Sequence, residues 1–209
     1  AAEKRGVSIQ DLLTLKAETL GPGGSGLLAL DWWQGNRSTL GRSDLSGVLV
    51  GATLNTRAED IFHALVEATA FGTRAIVESF TGQELPVHTL VAGGGLTRNA
   101  MLMQIYADVT GRQIAVAGAP QASALGAAML GAVAAGSARG GYDSLQAAAI
   151  RMAPSPQRVY EPIQVNRDRY DLLYGEYRRL YDYFGRGGNE VMPLLRGLRR
   201  RSGSDAVAD

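Results

Sequence analysis

"HTLVAGGGLTRNAML", residues 88–102, sets three consecutive glycines between an apolar run and an amphipathic one. Glycine at such a turn can adopt positive φ, and its missing Cβ lets another group approach the backbone. A ligand and a neighbouring helix would use that freedom equally well, so the glycines alone leave both readings open. The P-loop pattern G-x-x-x-x-G-K-[ST] occurs nowhere in the chain, which excludes a Walker-type cradle. A dinucleotide fingerprint G-x-G-x-x-G starts at Gly93 and Gly95, but its third position is Arg98. A guanidinium side chain there would obstruct close helix–strand packing. What remains is a strand, a glycine turn and a helix opening at Asn99. Amides at a helix start attract an anion, and bare backbone accepts a flat ring. The Asn99 amide offers a donor and an acceptor, which suits an adenine edge.

Working outward, Val87–Ala92 reads as the strand that enters the glycines. The helix that leaves them runs through Leu102, Ile105, Tyr106 and Val109 and stops at Gly111. "QIAVA" (113–117) is another strand, and "SALGAAMLGAVAAG" (123–136) a helix of small side chains able to lie very close to a neighbour. Upstream, residues 1–20 read as a short helix, "GPGGSG" (21–26) as a break, and "GLLALD" (26–31) and "GVLVGAT" (47–53) as strands. Thr56-x-x-Glu59 has the form of a capping box. It opens a helix to about Phe80 whose apolar face is Ile61, Leu65, Ala68, Gly72 and Ile76. His63, Glu67, Arg74 and Glu78 fall on the other face. His63 reads as a surface residue beside Glu67 rather than a base, since no nucleophile shares its vicinity in sequence. Residues 136–162 read as a linker. The final helices carry Tyr170, Leu173, Tyr174, Tyr177, Leu180, Tyr181 and Phe184 at i, i+3, i+4 spacing, an aromatic stripe suited to packing. Strands alternating with helices indicate α/β architecture.

The chain has 209 residues, 45% hydrophobic and 20% charged, with a formal net charge of +1. That is core enough for a globular domain and gives no global electrostatic argument for nucleic acid or an anionic membrane. Arg196, Arg199, Arg200 and Arg201 form the one basic cluster and read as a solvated helix end. With no cysteine, disulfides and thiolate metal sites are excluded, and a reducing cytoplasm is the expected setting. No apolar run reaches the roughly 18–20 residues of a membrane helix, and no signal peptide is expected. The opening Ala-Ala-Glu-Lys, without Met, suggests a piece of a longer protein.

"VAGGGLTRNAMLMQIYADVTGR" (91–112) followed by "ASALGAAMLGAVAAG" (122–136) resembles the C-terminal domain of the FGGY family of carbohydrate kinases. These belong to the actin-like ATPase superfamily, whose domains have ribonuclease-H-like folds. "SGLLALDWWQGNRS" (25–38), "IFHALVEATAFGTRAI" (61–76) and "YDYFGRGGNEVM" (181–192) resemble the branch of that family that phosphorylates L-ribulose. The likeness covers about residues 20–200. The family's C-terminal signature is met at Gly47, Leu49, Gly51, Asp60, Ile61 and Ala64, while Ala52 and Leu65 depart from its usual choices.

The resemblance implies a ribonuclease-H-like α/β domain, a mixed sheet flanked by helices, over residues 26–162. Residues 1–25 would be a helix and linker left from the preceding part of the enzyme, and 163–209 a helical extension with a disordered tail. It implies transfer of the γ-phosphoryl of ATP to L-ribulose in arabinose catabolism, with Mg²⁺ held mainly by the phosphates and the preceding part. Gly94 and Gly95 would lie against adenine, ribose and the α-phosphate, with Asn99 at the adenine edge and Gly93 as the strand exit. Asp31, Trp32, Arg98 and Ser123 are candidate cleft-lining residues, Ser123 being equally an N-cap. For the loop "DWWQGNR" the favoured reading is a scaffold, Arg37 bonding loop carbonyls and the tryptophans filling core. The general base and most sugar contacts belong to the family's N-terminal domain. None of Asp31, Asp44, Asp60 or Asp108 sits in a segment resembling the base motif, so no catalytic residue and no metal ligand is assigned. ATP, and L-ribulose through the N-terminal domain, are the expected partners, without nucleic acid or membrane. Self-association through the face left open is also expected. A kinase for another sugar or polyol (xylulose, ribulose, glycerol), or a stand-alone nucleotide-binding or assembly domain, are the competing readings.

Overall fold

The structure, a computed structural model, describes residues 6–205, with side chains as far as Arg199. Expectations for residues 1–5 and for the last four residues of the tail lie outside the described residues.

Helix α1 (Ile9–Ala17) is capped by Ser8, whose hydroxyl accepts the Asp11 N–H at 3.0 Å. Strands β1 (Leu28–Leu30) and β2 (Val48–Val50) pair antiparallel. Helix α2 (Ala58–Thr81) follows. Its capping box sits one residue later than expected. Asp60 accepts the Arg57 N–H at 2.8 Å, while Thr56 Oγ1 accepts the Thr53 N–H and Glu59 pairs with Lys16 at 3.1 Å. The Thr53–Thr56 turn delays helical geometry by that one residue.

The apolar stripe expected on α2 is also corrected. Ile61 is 37% exposed, whereas His63 and Glu67, placed on the surface from sequence, are 1% and 2% exposed. Helices α1, α3 and α6 and strand β1 all pack on α2. Its buried face is therefore broader than the aliphatic residues alone can mark, and Glu67 enters it where the Gly23 N–H meets its carboxylate.

Strand β3 (Thr89–Ala92) leads through a 3₁₀ turn, Gly95–Arg98, into α3 (Ala100–Thr110), which Gly111 closes. Strand β4 (Gln113–Val116) pairs parallel with β3 and antiparallel with β5 (Arg158–Tyr160). The sheet is thus mixed, as expected, but the strands form two separate pieces, β1-β2 and β3-β4-β5. Helix α4 (Ala122–Ala135) is the small-residue helix. Only Met129 on it is buried and Leu130 is 61% exposed. It packs on α5 (Leu145–Met152) along one side, the close neighbour its composition suggested, and leaves the rest open. Helix α5 and strand β5 both lie in the stretch read as a linker. The Ser144 cap, accepting the Ala147 N–H at 3.1 Å, was a legible start signal for α5.

Helix α6 (Gln164–Gly185) buries the expected aromatic stripe. Phe71 of α2 sits against Tyr170, Tyr174 and Tyr177, with ring centroids 5.3–6.0 Å apart. Tilted and edge-on rings at such spacing add to the area they bury. Helix α7 (Val191–Asp205) is the last described element. Its basic cluster is not wholly solvated, because Arg196 Nη1 donates to the carbonyls of Ser43 and Leu45. Arg199 is exposed, and the side chains of Arg200 and Arg201 lie outside those described. Among the described residues no helix is long and apolar enough to cross a membrane.

Candidate functional site

The three glycines are exposed, and among the described residues nothing crowds them. A Cβ on Gly93 would meet the Ala122 Cβ at 3.5 Å, and one on Gly95 the tip of Arg98 at 3.5 Å, both ordinary contacts. Gly94 has φ 95° and open space where a Cβ would stand. No neighbouring helix therefore explains the run; only Gly94 is required by backbone conformation.

Open space flanks this bare backbone on both sides. A cavity of about 710 Å³ lies between α1 and the turn, lined by Gln10, Asp11 and Thr14 from the helix and by Gly95, Arg98 and Asn99. A second of about 480 Å³ lies along Gly93–Gly95, closed by Ala117, Gln121 and Gln157. Gly95 and Arg98 border both. The Arg98 guanidinium folds back over the turn, its Nε donating to the Gly95 carbonyl at 3.5 Å. The smaller cavity lies at the C-terminal end of the parallel strands β3 and β4, lined by Gly93 and Ala117 just beyond them, the end where ligands bind in open α/β sheets.

Asn99 is the N-cap of α3, its Oδ1 accepting the Leu102 N–H at 3.0 Å. Its Nδ2 donates to Thr14 Oγ1 at 2.9 Å. One Nδ2 hydrogen and one Oδ1 lone pair remain for a ligand in the larger cavity. The residues of α1 were missed from sequence. Thr14 lies 85 positions from Asn99, and no periodicity links a helix to a turn that far away. Ser123 is exposed in the first turn of α4 and borders neither cavity, and the N-cap there is Gln121.

Asp31 and Trp32 lie elsewhere, on a cavity of about 350 Å³ shared with Arg37, Gly72 and Thr73. Burial raises the Asp31 carboxyl above the usual carboxylate range, against the pull of its own backbone N–H. Trp32 fills core as expected, edge-on to Tyr181 at 5.2 Å, but Trp33 is 60% exposed. The scaffold role expected of Arg37 falls to Asn36, whose Oδ1 accepts the Thr39 and Leu40 N–H groups at 3.2 Å. A short polar side chain reaches its own turn, whereas Arg37 is exposed. The other aspartates have structural tasks. Asp44 is held below its usual range by the Arg42 hydrogen bond, Asp60 caps α2, and Asp108 accepts the Ile163 N–H at 2.7 Å and Asn166 Nδ2 at 2.8 Å. Among the described residues no group of three or more His, Cys, Asp or Glu could hold a metal ion.

Similarity to known proteins meets this geometry. Residues 2–135 match the C-terminal domain of the FGGY family of carbohydrate kinases. The chain is 54% identical to a ribulokinase of Halalkalibacterium halodurans over 95% of its own length and 35% of the relative's. It is 52% identical to a ribulokinase of Bacillus licheniformis over 95% of its length and 36% of the relative's. It thus spans about a third of the relatives it matches. Among solved structures, the xylulose kinase of Rhodospirillum rubrum superposes with a TM-score of 0.70 at 26% identity, over 82% of this chain and 33% of that one. The α/β fold is the one expected of the actin-like ATPase superfamily. The chain belongs to the FGGY family of carbohydrate kinases.

Proposed function

We propose that this chain is the adenosine-binding part of an ATP-dependent kinase that phosphorylates L-ribulose. The observation that carries the reading is the uncrowded Gly93–Gly95 backbone between two cavities. Adenosine takes the larger one, beside Thr14 and Asn99, and the α-phosphate follows bare backbone toward Gly93. Arg98, on both cavities, is placed to meet phosphate charge. Mg²⁺ rides on the phosphates, as in phosphoryl transfer generally. Residues 26–162 form the nucleotide-binding unit and 163–209 the C-terminal extension, with α1 as the far wall of the cleft. The sugar, the general base and the β,γ-phosphate clamp belong to the preceding part of the parent enzyme, and the setting is cytoplasmic. The identity to ribulokinases supports L-ribulose as the substrate.

Titration of the chain with MgATP by calorimetry tests this. Saturable binding with a Kd of roughly 0.1–1 mM is expected, since the phosphates lack their clamp and each ~1.4 kcal/mol lost is tenfold in affinity. An absence of saturable adenine-nucleotide binding overturns the reading. For the intact parent, turnover is expected with L-ribulose in preference to D-ribulose, D-xylulose and glycerol. A preference for any of the other three overturns the substrate assignment.

A further inference from the structure

Glu67 is a fully buried carboxylate that serves three separate elements. It stands on α2, 2% exposed. Its Oε1 accepts the Gly23 N–H at 2.8 Å and lies 3.5 Å from His63 Nδ1, which has no hydrogen-bond partner among the described residues. On the α6 side it faces Tyr170. That phenol is pushed well up by burial and by the charge and hydrogen bond of Glu67. Such a group is costly to bury, and a costly group that collects donors from distant segments holds those segments in place.

The segment it holds is the loop between α1 and β1. Gly23 has φ 66°, and a Cβ there would meet Leu173 Cδ1 at 2.9 Å, so the loop is seated tightly between α2 and α6 at that residue. Beyond the loop stands α1, which carries Gln10, Asp11 and Thr14 to the larger cavity. At the end next to the loop α1 is tied by Lys16 to Glu59 at 3.1 Å, a pair at the surface and worth little, and across the cavity by Thr14 to Asn99 at 2.9 Å. Leu12 and Ala17 of α1 also bury themselves, and the helix packs on α2; among these polar ties, Glu67 to Gly23 is the one accepted by a fully buried side chain.

The geometry points to Glu67 as a positioning residue for nucleotide binding: by pinning Gly23 it sets α1 at the distance from the Gly95–Asn99 turn that the nucleotide requires. It touches no ligand. The inference rests on the nucleotide reading above for its functional half, and on the loop alone for its structural half.

Two variants and two measurements test it. Glu67→Asp withdraws the carboxylate by one methylene while keeping charge beside His63 and Tyr170. Glu67→Gln keeps length and an acceptor for Gly23. Hydrogen exchange on the full chain reads the loop without nucleotide, and MgATP calorimetry reads the site. In Glu67→Asp, amides of residues 9–17 and 20–26 should exchange about tenfold faster, with those of 100–110 changed by less than about twofold. MgATP affinity should fall by about threefold or more, and Glu67→Gln should restore both toward the parent chain. Acceleration spread evenly over 9–17, 20–26 and 100–110, or a Glu67→Gln variant as open as Glu67→Asp, overturns the proposal. Local opening with unchanged MgATP affinity overturns the positioning role. If Gly95→Val also leaves MgATP binding unchanged, it is the nucleotide reading that has failed, and the loop result stands by itself.

Discussion

Asn99 Nδ2 donates to Thr14 Oγ1 at 2.9 Å while Asn99 Oδ1 caps α3. One side chain thus starts the helix behind the glycine turn and fixes the helix across from it. Asn99→Ala removes both bonds and Thr14→Val only the cross-cavity one. Loss of the cap should cost about 1 kcal/mol, lowering Tm by roughly 2–4 °C for a chain of this size. Thr14→Val should cost about 0.5–1.5 kcal/mol. In the parent enzyme Asn99→Ala should also raise KM for ATP by a comparable free energy and blunt discrimination between ATP and GTP. Calorimetric melting and initial-rate kinetics with both nucleotides check this, and an unchanged ATP/GTP ratio would remove Asn99 from the adenine edge.

Gly95→Val separates packing from ligand contact. The added side chain meets only the flexible tip of Arg98, first at 3.5 Å, so stability should change by less than about 1 kcal/mol. KM for ATP in the parent enzyme should rise at least about tenfold, or about 1.4 kcal/mol, with KM for the sugar nearly unchanged. A stable variant with native ATP dependence returns the turn to a purely structural role.

Burial disfavours the charge of the Asp31 carboxyl and pushes it above the ordinary aspartate value of 3.8. For an acid raised in the folded state, the native form binds more protons than the unfolded one. Stability therefore falls as pH rises from about 3.8 through the folded value, and the penalty stays in place above it. Asp31→Asn should then stabilise the chain at about pH 7 and make little difference at about pH 3. Urea midpoints at the two pH values measure it. Destabilisation at neutral pH would mean that the charged carboxylate has a partner it needs.

Tyr177 is fully buried, and among the described residues its hydroxyl closes no well-formed hydrogen bond, although the Trp32 side chain lies near it. An unsatisfied buried donor costs its desolvation, so Tyr177→Phe should be neutral or stabilising by up to about 1 kcal/mol, while the ring keeps its contact with Phe71 at 5.3 Å. Chemical denaturation reads the sign directly. A loss of more than about 1 kcal/mol would assign the hydroxyl a partner across the Asp31 cavity.

Local chemistry settled much of this protein from its sequence. The strand–glycine–helix order at residues 87–111, the Asn99 start, the Gly111 stop and the aromatic stripe on α6 all depend on neighbours within a turn or two, where spacing is informative. The α/β class followed from the alternation of those elements. What tertiary structure decided is whatever involves residues distant in sequence. His63 and Glu67 read as surface because they are polar, yet they are buried because a loop 44 positions before Glu67 brings an N–H to its carboxylate. The α1 wall of the cleft, Gln10 to Thr14, has no marker of its own and becomes part of the site by facing Asn99. The glycines are the sharpest case. Sequence could say that something approaches the backbone there. Only the fold decided that, among the described residues, nothing crowds Gly93–Gly95 beyond ordinary contacts and that two cavities border them.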